Sequence, residues 1–205
     1  VRGMFMHQGQ ACISSSRIYV QKGIYPDFIK AYTGAVSKLG MGDLRDTSTV
    51  IGPIISDRQR ERIKRHIRDA QDKGANIVVG GDWEGNRCQP TVLTNVTEDM
   101  ECHAEETFGP VVSVYQVEDL DEGLVAANNS RYGLSSAIYT NDLNNALRYA
   151  RAIESGMVHV NGPSVTDEAH VPFGGIGDSG FGREGTEADI DALTELKWVT
   201  MQTKT

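Results

Sequence analysis

The chain has three cysteines, Cys12, Cys88 and Cys102, an odd and widely spaced set that cannot build a disulfide framework, so thiol chemistry is the better reading than stapling. Cys12 lies in Gly9-Gln10-Ala11-Cys12-Ile13, between an apolar stretch holding Met4, Phe5 and Met6 and a β-branched run. A free cysteine in that setting is either a small buried hydrophobe or a nucleophile. The second role needs a lowered thiol pKa, N–H donors for an oxyanion and a base, and the local sequence shows only the thiol. None of His7, His66, His103, His159 and His170 stands in a signature that pairs a histidine with Cys12, which weighs against a cysteine-dependent hydrolase. Cys102-His103 followed by Glu105 and Glu106 invites a metal reading, but a Cys-His pair without a second spaced pair lacks the convergent ligands of a zinc site, and no metal is expected.

Gly175-Ile176-Gly177-Asp178-Ser179-Gly180 satisfies the dinucleotide pattern G-x-G-x-x-G. That pattern works only where the glycines turn a buried strand into a helix whose N-terminus receives a pyrophosphate. The preceding His170-Val171-Pro172-Phe173 is too short and Pro-interrupted to be such a strand, so a loop of close backbone approach is expected instead.

These residues must be positioned by an alternating scaffold. Residues 15–21 read as a strand and 26–38 as a helix, with Phe28, Ile29, Tyr32, Ala35 and Val36 at helical spacing. Ser56 and Gln59 fit the N-cap and N3 positions of a capping box, Ile63, Ile67 and Ala70 continue the apolar stripe, and Gly74 supplies a stop. Its basic residues, among them Arg58, Arg62 and Arg65, read as a solvated face rather than a phosphate patch. Strands are expected at 77–79, 92–96, 111–117, 136–139 and 157–160, with helices at 121–128 and 142–154. The fold class is α/β, a largely parallel sheet with helices on both faces. Residues 194–203, with Leu196, Trp198, Val199 and Thr200 after the glycine-rich loop, read as a β-arm that pairs with another subunit.

With 205 residues, one main domain is the starting expectation. The balance of 20 Lys+Arg against 28 Asp+Glu, net −8, opposes general nucleic-acid binding. No window approaches the roughly 20 apolar residues of a bilayer span, and no leader precedes Val1, so a cytoplasmic setting without membrane contact is expected. Val1 enters directly on an apolar stretch, and the chain is read as a fragment.

Glu105-Glu106-Thr107-Phe108-Gly109-Pro110-Val111 and Pro172-Phe173-Gly174-Gly175, taken with Gly9-Gln10-Ala11-Cys12, resemble the NAD(P)-dependent aldehyde dehydrogenase superfamily over essentially the whole chain. Asn128-Asn129-Ser130-Arg131-Tyr132-Gly133-Leu134 and the strand from Gly156 to Asn161 fall in register with it. The chain is similar to the C-terminal half of such an enzyme: a catalytic domain over 1–193 and an oligomerisation strand over 194–205, with the cofactor-binding domain and its lysine upstream.

The resemblance implies that Cys12 is the nucleophile, forming a thiohemiacetal and then a thioester, with its own N–H as one oxyanion donor. It implies that Glu106 holds the nicotinamide ribose hydroxyls of NAD or NADP, that Phe108 packs beside that end of the cofactor, and that Gln59 contacts a ribose or simply serves the capping box. Asn161 matches a structural asparagine near the site, and Met6 and Phe173 match positions lining the substrate tunnel or merely fill the core. The family's general-base glutamate and oxyanion asparagine would lie upstream, so the isolated chain is expected to be inactive. The segment 161–175 looks most like the branch acting on benzaldehyde-, salicylaldehyde- and vanillin-type aldehydes. An acylating, coenzyme A-dependent member and a non-catalytic interaction module are the alternatives; self-association as a dimer or tetramer through the terminal strand is expected.

Overall fold

The computed structural model describes residues 1–185 and 187–203; Thr186 and residues 204 and 205, which fall in the expected catalytic domain and arm, lie outside the described residues. The strands are β1 (Arg17–Gln21), β2 (Asn76–Val79), the short pair β3 (Trp83–Glu84) and β4 (Arg87–Cys88), β5 (Thr91–Thr94), β6 (Val111–Val117), β7 (Tyr132–Gly133), β8 (Ser135–Ile138), β9 (Met157–Val160) and β10 (Ile176–Gly177). The helices are α1 (Arg2–Phe5), α2 (Tyr25–Val36), α3 (Asp57–Asp72), α4 (Glu101–Ala104), α5 (Leu120–Asn128), α6 (Leu143–Ala152) and α7 (Glu187–Leu193).

The central sheet runs β1-β6-β5-β2, with β1 and β5 both parallel to β6 and β2 antiparallel at the edge. The reversal at β2 has a simple cause. The segment between β2 and β5 is occupied by the β3–β4 hairpin and is too short for the helical crossover that a parallel return requires. β6 reads as a near-continuous apolar run because both faces are covered. Leu93 and Val111 point to a core with Ile63, Ile67 and Ala70 of α3, whereas Val92, Val112 and Val114 point to a second core with Tyr32 and Val36 of α2. Helices therefore cover both faces, as the apolar patterning implies. β8 and β9 form a smaller parallel pair joined by α6.

The capping chemistry sets α3. Ser56 accepts from the Gln59 N–H, and at the other end Ala75 N–H returns to Ala70 O and Gly74 N–H to Gln71 O, with Gly74 at φ +95°. These two bonds are a Schellman stop, which glycine closes without strain. Asp119 and Asp142 cap α5 and α6 in the same local way. The residue pattern Gly175 to Gly180 forms β10 against β7 and no helix follows directly, so the loop reading of that glycine run stands. Close approach explains it at Gly177, which sits at φ +60° and whose added Cβ would lie 2.7 Å from Arg131 O.

Residues 194–203 carry no helix or strand within this single chain, and Leu196 and Trp198 are fully solvent-facing. Among the described residues no helix is long and apolar enough to cross a membrane.

Candidate functional site

The segment before Cys12 is wound tightly and in the rare hand. After α1, a single 3-10 turn over Met6–Gly9 holds His7, Gln8 and Gly9 at φ of 51°, 58° and 66°. At Gly9 only glycine fits. A Cβ there would stand 2.3 Å from Gly109 O and 2.7 Å from Gly109 C. The turn thus sits directly on the backbone of the Glu105 to Gly109 strap. Gln10 Oε1 accepts from Ile55 N–H at 3.0 Å and ties the following residues to the chain entering α3.

Cys12 itself is exposed, on a turn closed by Ser14 N–H donating to Ala11 O at 3.0 Å. Its own N–H donates to no acceptor among the described residues and is free to meet an oxyanion. Cys88 and Cys102 are buried, and burial pushes both thiols up, Cys88 to about 12. Of the three thiols, Cys12 alone is open to a molecule from solvent.

Ser164, 2% exposed, fixes the far side of this loop: its Oγ donates to Ile13 O at 2.6 Å and lies 2.7 Å from Ser15 Oγ. Ser135 Oγ in turn donates to Ser164 O at 2.8 Å, so β8 anchors the support. Sequence reading missed Ser164, because a serine 151 positions from its partner has no local signature.

The strap opposite is gripped by α3. Gln59 Nε2 donates to Thr107 O at 2.7 Å and to Phe108 O at 2.9 Å, and Arg62 Nη2 donates to Glu106 O. The capping box is consequently only half formed: Gln59 supplies its N–H to Ser56 while its side chain turns to the strap instead of back to the cap. Arg62 likewise departs from the expected solvated face, whereas Arg60, Lys64, Arg65 and Lys73 do make surface pairs with acids. A narrow cavity separates the two segments, lined by Gly9, Ala11 and Ser14 on one side and by Glu106, Thr107 and Phe108 on the other.

Glu105 and Glu106 have different surroundings. Glu105 lies 3.4 Å from Arg131 and 3.8 Å from Arg62, and it accepts from Tyr132 Oη–H. The Glu106 carboxylate has neither a hydrogen bond nor an ion pair among the described residues, and burial raises its pKa against the opposing pull of Arg62. A half-buried carboxylate without donors has full capacity to accept from hydroxyl groups, which is what a ribose presents. The strap therefore offers an open acceptor to a hydroxyl-bearing ligand. Phe108, at φ +52°, is held in a backbone region that non-glycine residues seldom adopt.

The remaining candidate residues are placed apart from this cavity. Met6 lines a separate apolar cavity with Val1, Arg2, Phe5, Leu39 and Val50, whose lining does not include Phe173. Phe173 is partly buried and pinned by two backbone hydrogen bonds to Glu184. Asn161, at φ +57°, has both arms of its amide engaged with the backbone of Thr140. Cys102 packs against Ser113, and His103 Nδ1 lies 2.9 Å from Tyr115 Oη, so both members of the Cys-His pair are committed to packing.

Residues 1–199 match the aldehyde dehydrogenase family. Among relatives, the vanillin dehydrogenase of Pseudomonas fluorescens is 42% identical over 200 residues, an overlap of 98% of this chain and 42% of that protein. Among solved structures, a salicylaldehyde dehydrogenase from Pseudomonas putida G7, complexed with salicylaldehyde, superposes with a TM-score of 0.94 at 40% identity, covering 98% of this chain and 42% of the other. Betaine aldehyde dehydrogenase from Staphylococcus aureus in complex with NAD+ gives a TM-score of 0.89 at 36% identity, with coverage of 93% and 39%. The chain thus spans about two fifths of the length of the proteins it matches.

Proposed function

The chain belongs to the aldehyde dehydrogenase family, and from that premise we propose that it is the thiol-bearing half of a longer enzyme that oxidises an aldehyde to a carboxylic acid. The observation that supports this most is the facing pair of segments: an exposed Cys12 with a free N–H on one, an unpartnered Glu106 on the other, in contact through Gly9 and Gly109. In this reading the Cys12 thiolate adds to the aldehyde carbon, a C–S bond forms, and the resulting oxyanion meets the Cys12 N–H. NAD or NADP, when bound, would supply the hydride acceptor that the oxidation of the Cys12 thiohemiacetal to a thioester requires. Water then displaces the acyl group, returning the thiol to Cys12. Glu106 would accept from the ribose hydroxyls, Phe108 would pack beside them, and Gln59 acts by fixing the Thr107 and Phe108 carbonyl groups. Met6 and Phe173 are assigned to the walls of the aldehyde tunnel and Asn161 to bracing, where its grip on Thr140 supports a structural role.

The base that activates the water, a side-chain oxyanion donor and the rest of the cofactor site are assigned to sequence outside these 205 residues, in keeping with the two-fifths overlap with relatives. The isolated chain should then give no oxidation. An aromatic aldehyde is the proposed substrate, supported by the names of the similar vanillin and salicylaldehyde dehydrogenases. Residues 1–193 act as the catalytic domain and 194–205 as an arm joining a dimer or tetramer, supported by the exposure of Leu196, Trp198 and Met201. A cytoplasmic setting agrees with three unpaired thiols.

The test is made on the full-length protein. kcat/KM should be higher for vanillin, salicylaldehyde or benzaldehyde than for propanal, and Cys12→Ala should abolish turnover while NAD(P) still binds. Retained turnover above about one hundredth of wild type would refute the nucleophile assignment, since covalent catalysis does not survive loss of its atom. Adding coenzyme A distinguishes the acylating alternative, because the product would then be a coenzyme A thioester instead of the free acid.

A further inference from the structure

One buried titratable side chain stands outside this scheme. His66 is fully buried on α3, and its Nδ1 lies 3.0 Å from Thr107 Oγ1 at the centre of the strap. Thr107 is itself 4% exposed. Gln59, Arg62 and His66, at i, i+3 and i+7, share one face of the helix. Between them they hold three consecutive strap residues: Arg62 takes the Glu106 carbonyl, Gln59 the Thr107 and Phe108 carbonyls, and His66 the Thr107 hydroxyl. Ile63 on the same helix fills the space over Gly109, where an added Cβ would come within 2.4 Å of its Cδ1.

We propose that His66 is a positioning residue for cofactor binding, locking the Thr107 side chain so that the strap presents Glu106 and Phe108 in one fixed arrangement. The proposal rests on the functional reading above. Two observations show why a lock is needed and why His66 suits it. Phe108 is in the left-handed region, which persists only where the surroundings over-determine it. The other side of the imidazole faces an acid: His66 Nε2 is 3.4 Å from Glu101 Oε2 and makes no hydrogen bond. That carboxylate favours the proton on Nε2, which leaves Nδ1 to accept from the Thr107 hydroxyl.

Burial, reinforced by Arg62 and Arg65 and opposed by Glu101 and Glu105, keeps the ring neutral, with a pKa lowered to about 4. Asp69 also interacts electrostatically with the ring. A neutral acceptor is therefore maintained across the physiological range. The strap's hydroxyl lock is then independent of pH under working conditions.

The experiment uses the full-length protein carrying His66→Phe, Thr107→Val and both together. Three quantities are read: the equilibrium Kd for NAD+, the rate at which 4-nitrophenyl acetate acylates Cys12, and hydrogen exchange of the peptide covering residues 105–111, where the Glu105 and Val111 N–H groups are bonded. Each single substitution should weaken NAD+ binding fivefold or more and speed exchange in that peptide, while acylation of Cys12 stays within twofold. The double variant should be no worse than the weaker single variant, because both remove the same contact. NAD+ affinity unchanged in both single variants, effects that multiply in the double, or acylation falling in parallel would each overturn the proposal. Thr107→Val keeps shape and removes only the hydroxyl, so it decides the matter if His66→Phe does not fold. Wild-type protein that binds no NAD+ would instead sink the dehydrogenase reading, and exchange of the 105–111 peptide would still test the lock.

Discussion

Replacing Gly9 by alanine probes the contact on which the site geometry depends. The residue sits at φ +66°, and the new Cβ would be placed 2.3 Å from Gly109 O, 2.7 Å from Gly109 C and 2.9 Å from Met4 Cε. The Met4 contact is with the end of a flexible side chain and can relax, but the Gly109 contact is backbone and cannot without moving a whole segment. The left-handed backbone costs a non-glycine residue about 1–2 kcal/mol. Overpacking of a tight contact adds about 1–3 kcal/mol. The expected loss is therefore about 2–5 kcal/mol, read as a lower urea midpoint of the full-length protein. Gly34→Ala is the internal control: nothing lies within 4 Å of its added Cβ, it is exposed inside α2, and a gain of about 0.5–1 kcal/mol is expected from helix propensity. If Gly9→Ala relaxes by pushing the strap away from the Cys12 turn, hydride transfer must slow as well. An unchanged urea midpoint and an unchanged single-turnover rate in Gly9→Ala would show that the Gly9–Gly109 approach does not organise the site.

Glu106→Gln should weaken NAD(P) binding by about 10- to 150-fold, the range for losing hydrogen bonds to a charged acceptor of about 1.5–3 kcal/mol. Because burial raises the Glu106 pKa, the folded state disfavours its ionised form, and stability falls as pH rises through the carboxylate range; the glutamine variant escapes this and should be at least as stable as wild type at pH 7. A less stable variant with normal cofactor affinity would contradict both halves of that expectation. His66 has the opposite sign: with a folded pKa of about 4 against an ordinary 6.5, the unfolded chain takes up the proton first, and up to about 3 kcal/mol is lost as pH drops from 6.5 towards 4. His66→Phe should flatten that part of the stability profile, and a drop in urea-derived stability from pH 7 to 4.5 that is the same in wild type and variant would show that the ring is not held neutral. Ending the full-length chain after Leu193 should shift the light-scattering mass towards monomer, and an unaltered mass would remove the arm from the interface.

What could be read from sequence was local. Ser56, Gln59 and Gly74 define α3 because capping and stop signals act within a few residues, and β6 is legible as a near-continuous apolar run because a strand covered on both faces is apolar over most of its length. Cys12, Glu106 and Phe108 stand out through motifs in register, and the structure brings Gly9, Ala11 and Ser14 around the first against Glu106 and Phe108 at one cavity. The supports were not legible. Ser164 meets Ile13, Gly9 meets Gly109, and His66 meets Thr107 across separations that carry no periodicity, and a serine or histidine in those places reads the same whether or not it has a partner. Gln59 is legible at N3 of its own helix, where Ser56 takes its N–H, but its side chain goes to a distant strap that no local pattern reveals.

The link between Ser164 and Ile13 also has a bearing on the order in which the chain is made. A ribosome adding about 5–20 residues per second needs roughly 8–30 s to cover the 151 residues that separate them. Throughout that interval the Cys12 turn has been synthesised but its Ser164 anchor has not, and Gly109 arrives only partway through. Nascent chains therefore carry an accessible thiol on an unsupported loop, and its final geometry is imposed only after β8, β9 and the Ser164 segment have been translated and have docked.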